Sequence, residues 1–455
     1  MTDKDHYITR LEAIIAQQSE QIALLEHKIV SLLAEIAKLK IRKDSHNSSL
    51  PPSSDIAKKT KSLRTKSHRK SGGQAGHKGS TLKMSSTPDE IITLKSSFCS
   101  ACGADLAEES FVLQAKRQVI EIPPIIPIYK EYQQFSCSCS ACSHRQIADF
   151  PYQVTAPIQY GSSVSTLVSY FSVYQSLPYN RLQKMFKQVF SLPLSEGTIE
   201  NILDKVALKC QIVYEKIKTD ISQSVVVGAD ETGAKVSGAK WWVWVWQTVL
   251  STFIVASDNR GFKTVEAFFA QGFPNSTLLS DRWAAQLKTF SKNKQICLAH
   301  LLRELNYLIE VEKSEFAIAF KTLIGSVFDL KKEQNSSQKA CEKDDTRAIL
   351  IEKQLMDLLD RVLDGEKCPK TKVFQTSMIK YREYLLTCLY QLEVPPDNNA
   401  SERAIRIIKV KQKVSGQFKT GQQTFCVIRS VIDTLIKRKV ELIQNLQLII
   451  NLQPE

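Results

Sequence analysis

Two short apolar segments of this chain each end on an aspartate, and this pattern restricts the possible fold more than any other feature. Residues 225–229 lead to Asp230, and residues 277–280 lead to Asp281. Each segment has the length and apolar character of a buried strand. A third such segment, residues 295–299, runs into a helical stretch. Strands followed by helices predict an α/β core with ligands at the carboxyl ends of the strands, so both aspartates would face one crevice.

A third carboxylate is predicted on a later helix, at Glu402, after the chain break that Pro395 and Pro396 indicate. Phosphodiester chemistry with two metal ions about 3.5–4 Å apart needs such a carboxylate cluster. Taken singly, an aspartate at a strand end is more often a helix cap, and a surface glutamate is usually solvated. Glu402 shares one helical face with three basic residues, which suits a metal ligand beside DNA phosphates: Arg406, Lys409 and Lys413.

Four residues near these acids have simpler interpretations. Glu231 points away from its neighbour Asp230 if both lie in a strand, which favours a structural role or solvent exposure. Asp258 lies in a sequence typical of a turn. For His300 and Arg303 the sequence leaves two roles open, contact with DNA phosphates or packing and helix capping.

Five of the eleven cysteines are clustered within residues 99–142. Two Cys-x-x-Cys turns on a strand-rich frame have the ligand spacing of a structural tetrahedral zinc site, in which four thiolates leave no position for catalysis. Cys137 is an alternative to Cys139, and His144 is a more remote candidate. The predicted zinc ligands are Cys99, Cys102, Cys139 and Cys142.

A heptad repeat covers residues 7–40. Isoleucine recurs every seven residues at one position, and leucine recurs at the other with an interruption at Gln18. Isoleucine at a with leucine at d favours a parallel two-stranded coiled coil, so we expect a homodimer. The alternative is a single amphipathic helix packed on its own domain.

Residues 56–80 carry eight Lys or Arg and no acidic residue, and the whole chain has a net charge of +14. Such an excess favours a polyanionic partner such as nucleic acid. With too few apolar side chains to fold alone, this basic arm either lies along a DNA backbone or is a solvated linker. The residues predicted to contact DNA are Lys58, Lys59, Arg64, Arg69, Lys70 and Lys78 here, and Arg403, Arg406, Lys409 and Lys413 on the later helix.

Residues 160–218 are predicted to be helical, and Ser195 or Thr198 is placed to cap one of the helices. Two helices around a short turn resemble helix-turn-helix geometry, although ordinary helix packing explains them equally well.

The length and hydropathy of the chain limit the number of its folding units and its cellular location. A chain of 455 residues is too long for one ordinary core, so two to four units are expected. No apolar stretch approaches the length that spans a bilayer, and the N-terminus lacks the order of a signal peptide. We therefore expect a cytoplasmic, nucleoid-associated protein.

Taken in order, these motifs closely resemble the insertion sequence 66 family of transposases over most of the chain. Two departures from the family pattern are the extra Cys137 and the run Lys411-Gln412-Lys413, where many relatives carry Arg-Lys-Asn. Besides the zipper and the paired cysteines, the matching motifs are Asn47-Ser48-Ser49 with Pro51-Pro52-Ser53, Gly72-Gly73-Gln74 with Gly76-His77-Lys78-Gly79, Leu177-Pro178-Tyr179 with Arg181, Leu194-Ser195 with Gly197-Thr198, Asp230-Glu231-Thr232, Ser280-Asp281, Cys297 with Ala299-His300 and Arg303-Glu304, and Asn398-Asn399 with Glu402-Arg403-Ala404-Ile405-Arg406.

The resemblance implies a multidomain protein with an α/β RNase H-like core, a helical insertion, a coiled coil and a small β-rich zinc-binding module. It also implies an Asp-Asp-Glu triad, here Asp230, Asp281 and Glu402, as ligands of two Mg²⁺ or Mn²⁺ ions, with Glu402 also a candidate water-orienting base. The predicted units are a coiled coil (1–42), a flexible basic linker (43–84), a zinc-binding module (85–152), a helical DNA-binding region (153–220), the first part of the core (221–307), a helical insertion (308–392), the last part of the core (393–430) and a C-terminal helix (431–455).

The function implied is that of a DNA transposase, which binds the ends of a mobile element, cleaves them and transfers the strands. The expected partners are transposon-end and target DNA, a second copy of the chain and small companion proteins of the same element. One alternative is a zinc-containing DNA-binding protein derived from a transposase without catalytic activity. Another is an RNase H-like nuclease that cuts DNA but never joins it.

Overall fold

The computed structural model describes residues 3–40, 46–48, 76, 78–79, 82–342, 344–365 and 368–452. No helix within these ranges is long and apolar enough to cross a membrane. Five of the residues predicted to contact DNA lie outside the described ranges: Lys58, Lys59, Arg64, Arg69 and Lys70.

The N-terminal heptads form one long helix, α1 (Asp3–Lys40). Its apolar stripe is largely exposed within the single chain, with exposed fractions of 61% for Ile15, 56% for Ile22 and 57% for Leu25. Because each large apolar side chain left in water forgoes roughly 1.5–3 kcal/mol of burial, this stripe supports the predicted pairing with a second copy.

The cysteine-rich region has little apolar core of its own. Within residues 85–152 nearly all side chains are exposed, and the only regular strands are β1 (Ser136–Ser138) and β2 (Arg145–Ile147), which pair antiparallel. Turns and backbone hydrogen bonds therefore hold this region more than apolar packing does.

The centre of the molecule is a five-stranded mixed sheet with the strand order β5-β4-β3-β6-β7. The first three strands of this sheet pair antiparallel, β6 pairs with β3 in parallel, and β7 pairs with β6 in parallel. Its strands are β3 (Val226–Val236), β4 (Ala239–Gln247), β5 (Thr252–Ser257), β6 (Phe273–Ser280) and β7 (Ser291–Ile296).

Helices pack on this sheet to form the main apolar core. Trp244 and Trp246 of β4 are fully buried, with ring centroids 5.7 Å apart. The hydroxyl of Ser195 accepts a hydrogen bond from the Thr198 amide at 3.0 Å and so caps the long helix α4. The helices of this unit are α2 (Ser162–Ser169), α3 (Tyr179–Val189), α4 (Glu196–Ser222), α5 (Phe262–Phe268), α6 (Ala284–Lys288), α12 (Asn399–Ser415), α13 (Gln422–Lys437) and α14 (Leu442–Ile450).

A second apolar cluster lies between β7 and α12 in the chain. Phe316, Phe320 and Phe374 meet at its centre, with the rings of Phe320 and Phe374 5.5 Å apart and edge to face. It is built by α7 (Leu298–Glu312), α8 (Glu315–Ser337), α9 (Thr346–Leu359), α10 (Pro369–Lys380) and α11 (Thr387–Tyr390).

The exposed stripe of α1 leads to a test of self-association. Placing lysines at two core positions, Ile22→Lys with Ile29→Lys, should give a monomer because charged side chains cannot be buried between two helices without a large desolvation cost. Sedimentation equilibrium of the full chain measures the mass. Ala16→Lys with Ala23→Lys adds the same charge outside the heptad core and should leave the dimer intact. An unchanged mass for the core variant would contradict the coiled-coil dimer.

Candidate active site

Asp230 lies within β3, and Asp281 is the first residue after the parallel neighbour β6, which ends at Ser280. The pairing of β3 with β6 sets Gly228 opposite Leu279. Each aspartate lies two residues beyond this pair, and the charge of Asp281 raises the pKa of Asp230. Neighbouring strands are about 4.7–4.9 Å apart, and side chains at paired positions project from the same face. The sheet therefore brings the two predicted aspartates together at one edge.

The third predicted carboxylate comes from α12, which packs against β3 and β4. The side chain of Asn398, just before this helix, donates a hydrogen bond to the carbonyl of Ala229 at 2.8 Å. Its amide oxygen accepts a hydrogen bond from the Ser401 hydroxyl at 2.7 Å, and both side chains are buried. Glu402 follows directly, so its position is set by a contact made beside Asp230.

Gly228 makes this close approach possible. A Cβ atom there would clash with Gln247 Nε2 and lie 2.8 Å from both Asn398 Oδ1 and Ser401 Oγ. A glycine inside a strand is the usual sequence sign that another backbone approaches closely. The sequence analysis did not use this sign, and it missed the roles of Asn398 and Ser401.

The first turn of α7 is tied to the same loop. The Asn398 amide donates to the Cys297 thiol at 3.2 Å, and the Leu298 amide donates to the carbonyl of Pro396 at 2.9 Å. Cys297 follows β7, whose partner strand β6 ends at Ser280. The starts of α7 and α12 therefore meet beside Asp281.

These carboxylates are close enough to interact electrostatically. Burial raises the pKa of Asp230 well above its ordinary value, and the negative charges of Asp281, Glu231 and Glu402 raise it further. Like charges held together in a partly desolvated place favour either a shared proton or a bound cation.

Two side chains of α7 contact Glu402. The Arg303 guanidinium donates from Nη2 to both carboxylate oxygens, at 3.0 and 3.1 Å, and His300 Nε2 lies 3.7 Å from one of them. Burial lowers the pKa of His300, and the positive charge of Arg303 lowers it further. Arg303 therefore binds the third carboxylate, a contact that the sequence analysis did not consider, and the two roles proposed for His300 and Arg303 stay predictions.

The donor set of this edge is all carboxylate oxygen, which Mg²⁺ and Mn²⁺ prefer over nitrogen and sulfur. Within the described residues, no three His, Cys, Asp or Glu side chains are already arranged to hold a metal ion. Two observations make these residues suitable ligands for a divalent cation. Their donor atoms are carboxylate oxygens, and both burial and the repulsion between the carboxylates raise the pKa of Asp230.

Glu231 has a structural role on the other face of β3. Its buried carboxylate forms an ion pair with Arg260 at 2.9 Å. The Arg260 guanidinium in turn lies 3.6 Å from the ring centroid of Trp283 and 4.5 Å from that of Trp242. Burial raises the pKa of Glu231 to about 7, with the charge of Asp281 adding to it. Asp258 is exposed after β5.

The basic residues of α12 differ in their surroundings. Arg403, Arg406 and Lys413 are exposed, whereas Lys409 donates its amine to the carbonyl of Gly233 at 2.7 Å. Burial lowers the pKa of Lys409. Of the residues in the basic arm that are predicted to contact DNA, Lys78 lies within the described ranges, and its side chain is exposed.

The two Cys-x-x-Cys segments fold into matching turns. In each, the first cysteine donates its amide to the carbonyl five residues later and accepts at its own carbonyl from the amide four residues later, for Cys99 and Cys139 alike. The residue after the second cysteine has a positive φ in both turns, 75° at Gly103 and 60° at Ser143. Cys137 instead lies in β1, opposite Gln146.

Neighbouring amides favour the ionised thiols. Backbone hydrogen bonds, from Ala101 first and then Cys102, lower the pKa of Cys99, and those from Cys142 and Ala141 lower the pKa of Cys139. The thiolate is the form that binds zinc.

Comparison with known families gave two matches. The family described as Transposase IS66 family matches residues 157–424, a range that includes all three carboxylates and the contacts around Gly228. A second family, described only as a family of unknown function (DUF6444), matches residues 6–83. No curated protein matches the chain.

The contact at Gly228 can be tested by adding one methyl group. Gly228→Ala should lower the free energy of unfolding by roughly 1–3 kcal/mol, because the new Cβ forces α12 away from β3. Gly233→Ala is the matched control on the same strand, since its Cβ would meet only Trp242 at 3.8 Å. Urea unfolding followed by tryptophan fluorescence gives both values. Equal stability of the two variants would show that the approach of α12 is not close.

Proposed function

The chain belongs to the IS66 family of transposases, and from this premise we propose that it binds the ends of an insertion sequence, cleaves the DNA and transfers the strands. The observation that carries the proposal is the proximity of Asp230 in β3 to Asp281 at the end of the parallel strand β6, with the helix of Glu402 packed against β3. The enzyme class proposed is a DDE transposase.

We assign the mixed sheet and its helices to an RNase H-like core. Support comes from the strand arrangement, in which three antiparallel strands are followed by two parallel ones, and from the carboxylates at the shared edge. The helices α8 to α11 with their own apolar cluster constitute the proposed insertion between the second and third acid.

Asp230, Asp281 and Glu402 would hold two Mg²⁺ or Mn²⁺ ions. When bound, such ions lower the pKa of an attacking water and offset charge on the leaving oxygen. The chain's own contribution is to hold three carboxylates at one place against their mutual repulsion. Arg303 would orient Glu402, because a guanidinium presents its donors in a fixed plane.

The proposed reaction has two steps. In the first, water attacks a phosphorus at the element end, the bond to the 3′-oxygen breaks, and a 3′-hydroxyl is released while the other strand end keeps the phosphate. In the second, that hydroxyl attacks a phosphorus of the target DNA and displaces its 3′-oxygen. No phosphodiester bond is lost in the second step, so it requires no further energy source. Glu402 is the proposed acceptor of the proton from the attacking water.

DNA would be held by positive charge around this edge. Arg403, Arg406 and Lys413 project from α12 beside Glu402, and the chain as a whole has a net charge of +14. The basic arm, with Lys58, Lys59, Arg64, Arg69, Lys70 and Lys78, is proposed to lie along the phosphate backbone. Lys409 would take part only if its amine left the Gly233 carbonyl.

The cysteine turns would bind one structural zinc ion. We propose Cys99, Cys102, Cys139 and Cys142 as the ligands, because the two turns that carry them have the same hydrogen bonds and backbone geometry. A second copy of the chain, paired through α1, is the proposed protein partner, beside small companion proteins of the same element.

Zinc content separates the two candidate cysteines. The purified chain should contain about one zinc ion per monomer, and Cys139→Ser should lower this content because it removes one of four thiolates. Cys137→Ser, which alters a residue of β1, is the matched control and should retain the metal. Atomic absorption after dialysis measures both. Loss of zinc from the Cys137 variant alone would reverse the assignment.

Strand transfer tests the catalytic proposal directly. Asp230→Asn should reduce cleavage and joining of element-end DNA by about a hundredfold or more, since even outer partners of metal ligands are worth about 10–100-fold. Asp329→Asn makes the same chemical change on the exposed surface of α8 and should keep full activity. Gel analysis separates cut from joined products, so a nuclease that never joins strands would also be recognised. Retained joining by the Asp230 variant would remove the carboxylate model, whereas binding without any cutting or joining by the unsubstituted protein would favour a DNA-binding protein without catalysis.

A further inference from the structure

A short segment before the basic arm is bound to the helix that carries Arg303. Asn47 Nδ2 donates to Glu310 Oε2 at 2.7 Å, and Asn306 Nδ2 donates to the carbonyl of His46 at 3.0 Å. Asn47 is only 4% exposed and Asn306 only 3%. Asn47 is therefore buried against α7, with His46 and Ser48 half-buried, although these residues are about 260 positions away in the sequence.

The contact is specific because the amide groups of Asn47 and Asn306 have defined partners. The amide oxygen of Asn306 accepts from Lys321 Nζ at 2.8 Å, which fixes its amide nitrogen towards His46. His46 Nε2 also lies 3.9 Å from Glu310 Oε1. A hydrogen bond from an amide to a carboxylate is stronger than one between neutral groups, and losing it would leave the buried Asn47 amide without its acceptor.

The segment binds on the side of α7 that faces the carboxylates. Arg303, Asn306 and Glu310 are spaced by three and four residues, so they share one face of the helix. Asn306 follows Arg303 by about 4.5 Å along the helix axis. Arg303 itself binds Glu402.

We propose that residues 46–48 form a docking clasp on α7 of the same chain, which tethers the chain ahead of the basic arm to the helix that carries Arg303. The first basic residue of the arm, Lys58, follows Asn47 by eleven positions. Eleven residues span at most about 40 Å, so the clasp limits how far Lys58 can lie from α7. The ligand of the tethered arm would be a DNA phosphate backbone, and this part of the inference rests on the proposed function.

The clasp is tested first without DNA. Asn47→Asp replaces the donor by a second carboxylate facing Glu310, so residues 46–48 should separate from α7. Hydrogen–deuterium exchange of the full chain should then rise about tenfold in the peptides containing residues 46–48 and 304–312. Asn335→Asp introduces the same charge at an exposed position of α8 and should change neither peptide. Unchanged exchange in the Asn47 variant would overturn the clasp.

A double variant distinguishes the loss of this hydrogen bond from a general disturbance of the segment by the substitution. Combining Asn47→Asp with Glu310→Gln exchanges donor and acceptor, so one hydrogen bond can form again and protection should return. Persistent fast exchange in the double variant would show that this contact does not hold the segment.

DNA affinity then tests what the clasp does. Asn47→Asp should bind a DNA duplex about tenfold more weakly, and the double variant should recover, because a tethered arm needs less ordering on binding. Lost protection with unchanged affinity would overturn this role of the clasp. If the unsubstituted protein bound no DNA at all, the proposed function would fail, whereas the exchange result would still decide the clasp.

Discussion

The close approach of α12 to β3 at Gly228 is the contact on which the geometry of the carboxylates depends. It joins segments that lie about 170 residues apart in the chain, through the hydrogen bond from Asn398 to the Ala229 carbonyl. That bond is buried, where an unmade partner costs about 1–3 kcal/mol. If the helix were displaced by the width of a methyl group, Glu402 would move away from Asp230, and the third carboxylate would no longer belong to the same site.

The carboxylates repel one another, and the surrounding structure has to hold them together against this repulsion. The raised pKa of Asp230 expresses this conflict, since burial and three neighbouring negative charges all oppose its ionisation. The sheet below is rigid, with Trp244 and Trp246 stacked in its core. Arg303 supplies an opposite charge from α7. Like charges held together in this way are the physical basis of the proposed metal site.

Helix α7 connects several parts of the molecule through its successive turns. Cys297, just before it, is tied to the loop that begins α12, and the first turns present His300 and Arg303 to Glu402. The next turns bind residues 46–48. A movement of this helix would therefore displace the third carboxylate and residues 46–48 together.

The sequence by itself determined where the buried strands lie and which acidic side chains accompany them. Apolar runs before Asp230 and Asp281 predicted two strands, because buried strands are read from short apolar segments. The second strand ends just before its acid, but β3 continues past Asp230 to Val236, so the predicted end of the first strand was wrong. The pairing of β3 with β4, which extends this strand, is a long-range contact that only the tertiary structure decided. The contact at Gly228 and the binding of Asn47 to α7 likewise depend on packing between segments remote in the chain, and no local pattern encodes such distances.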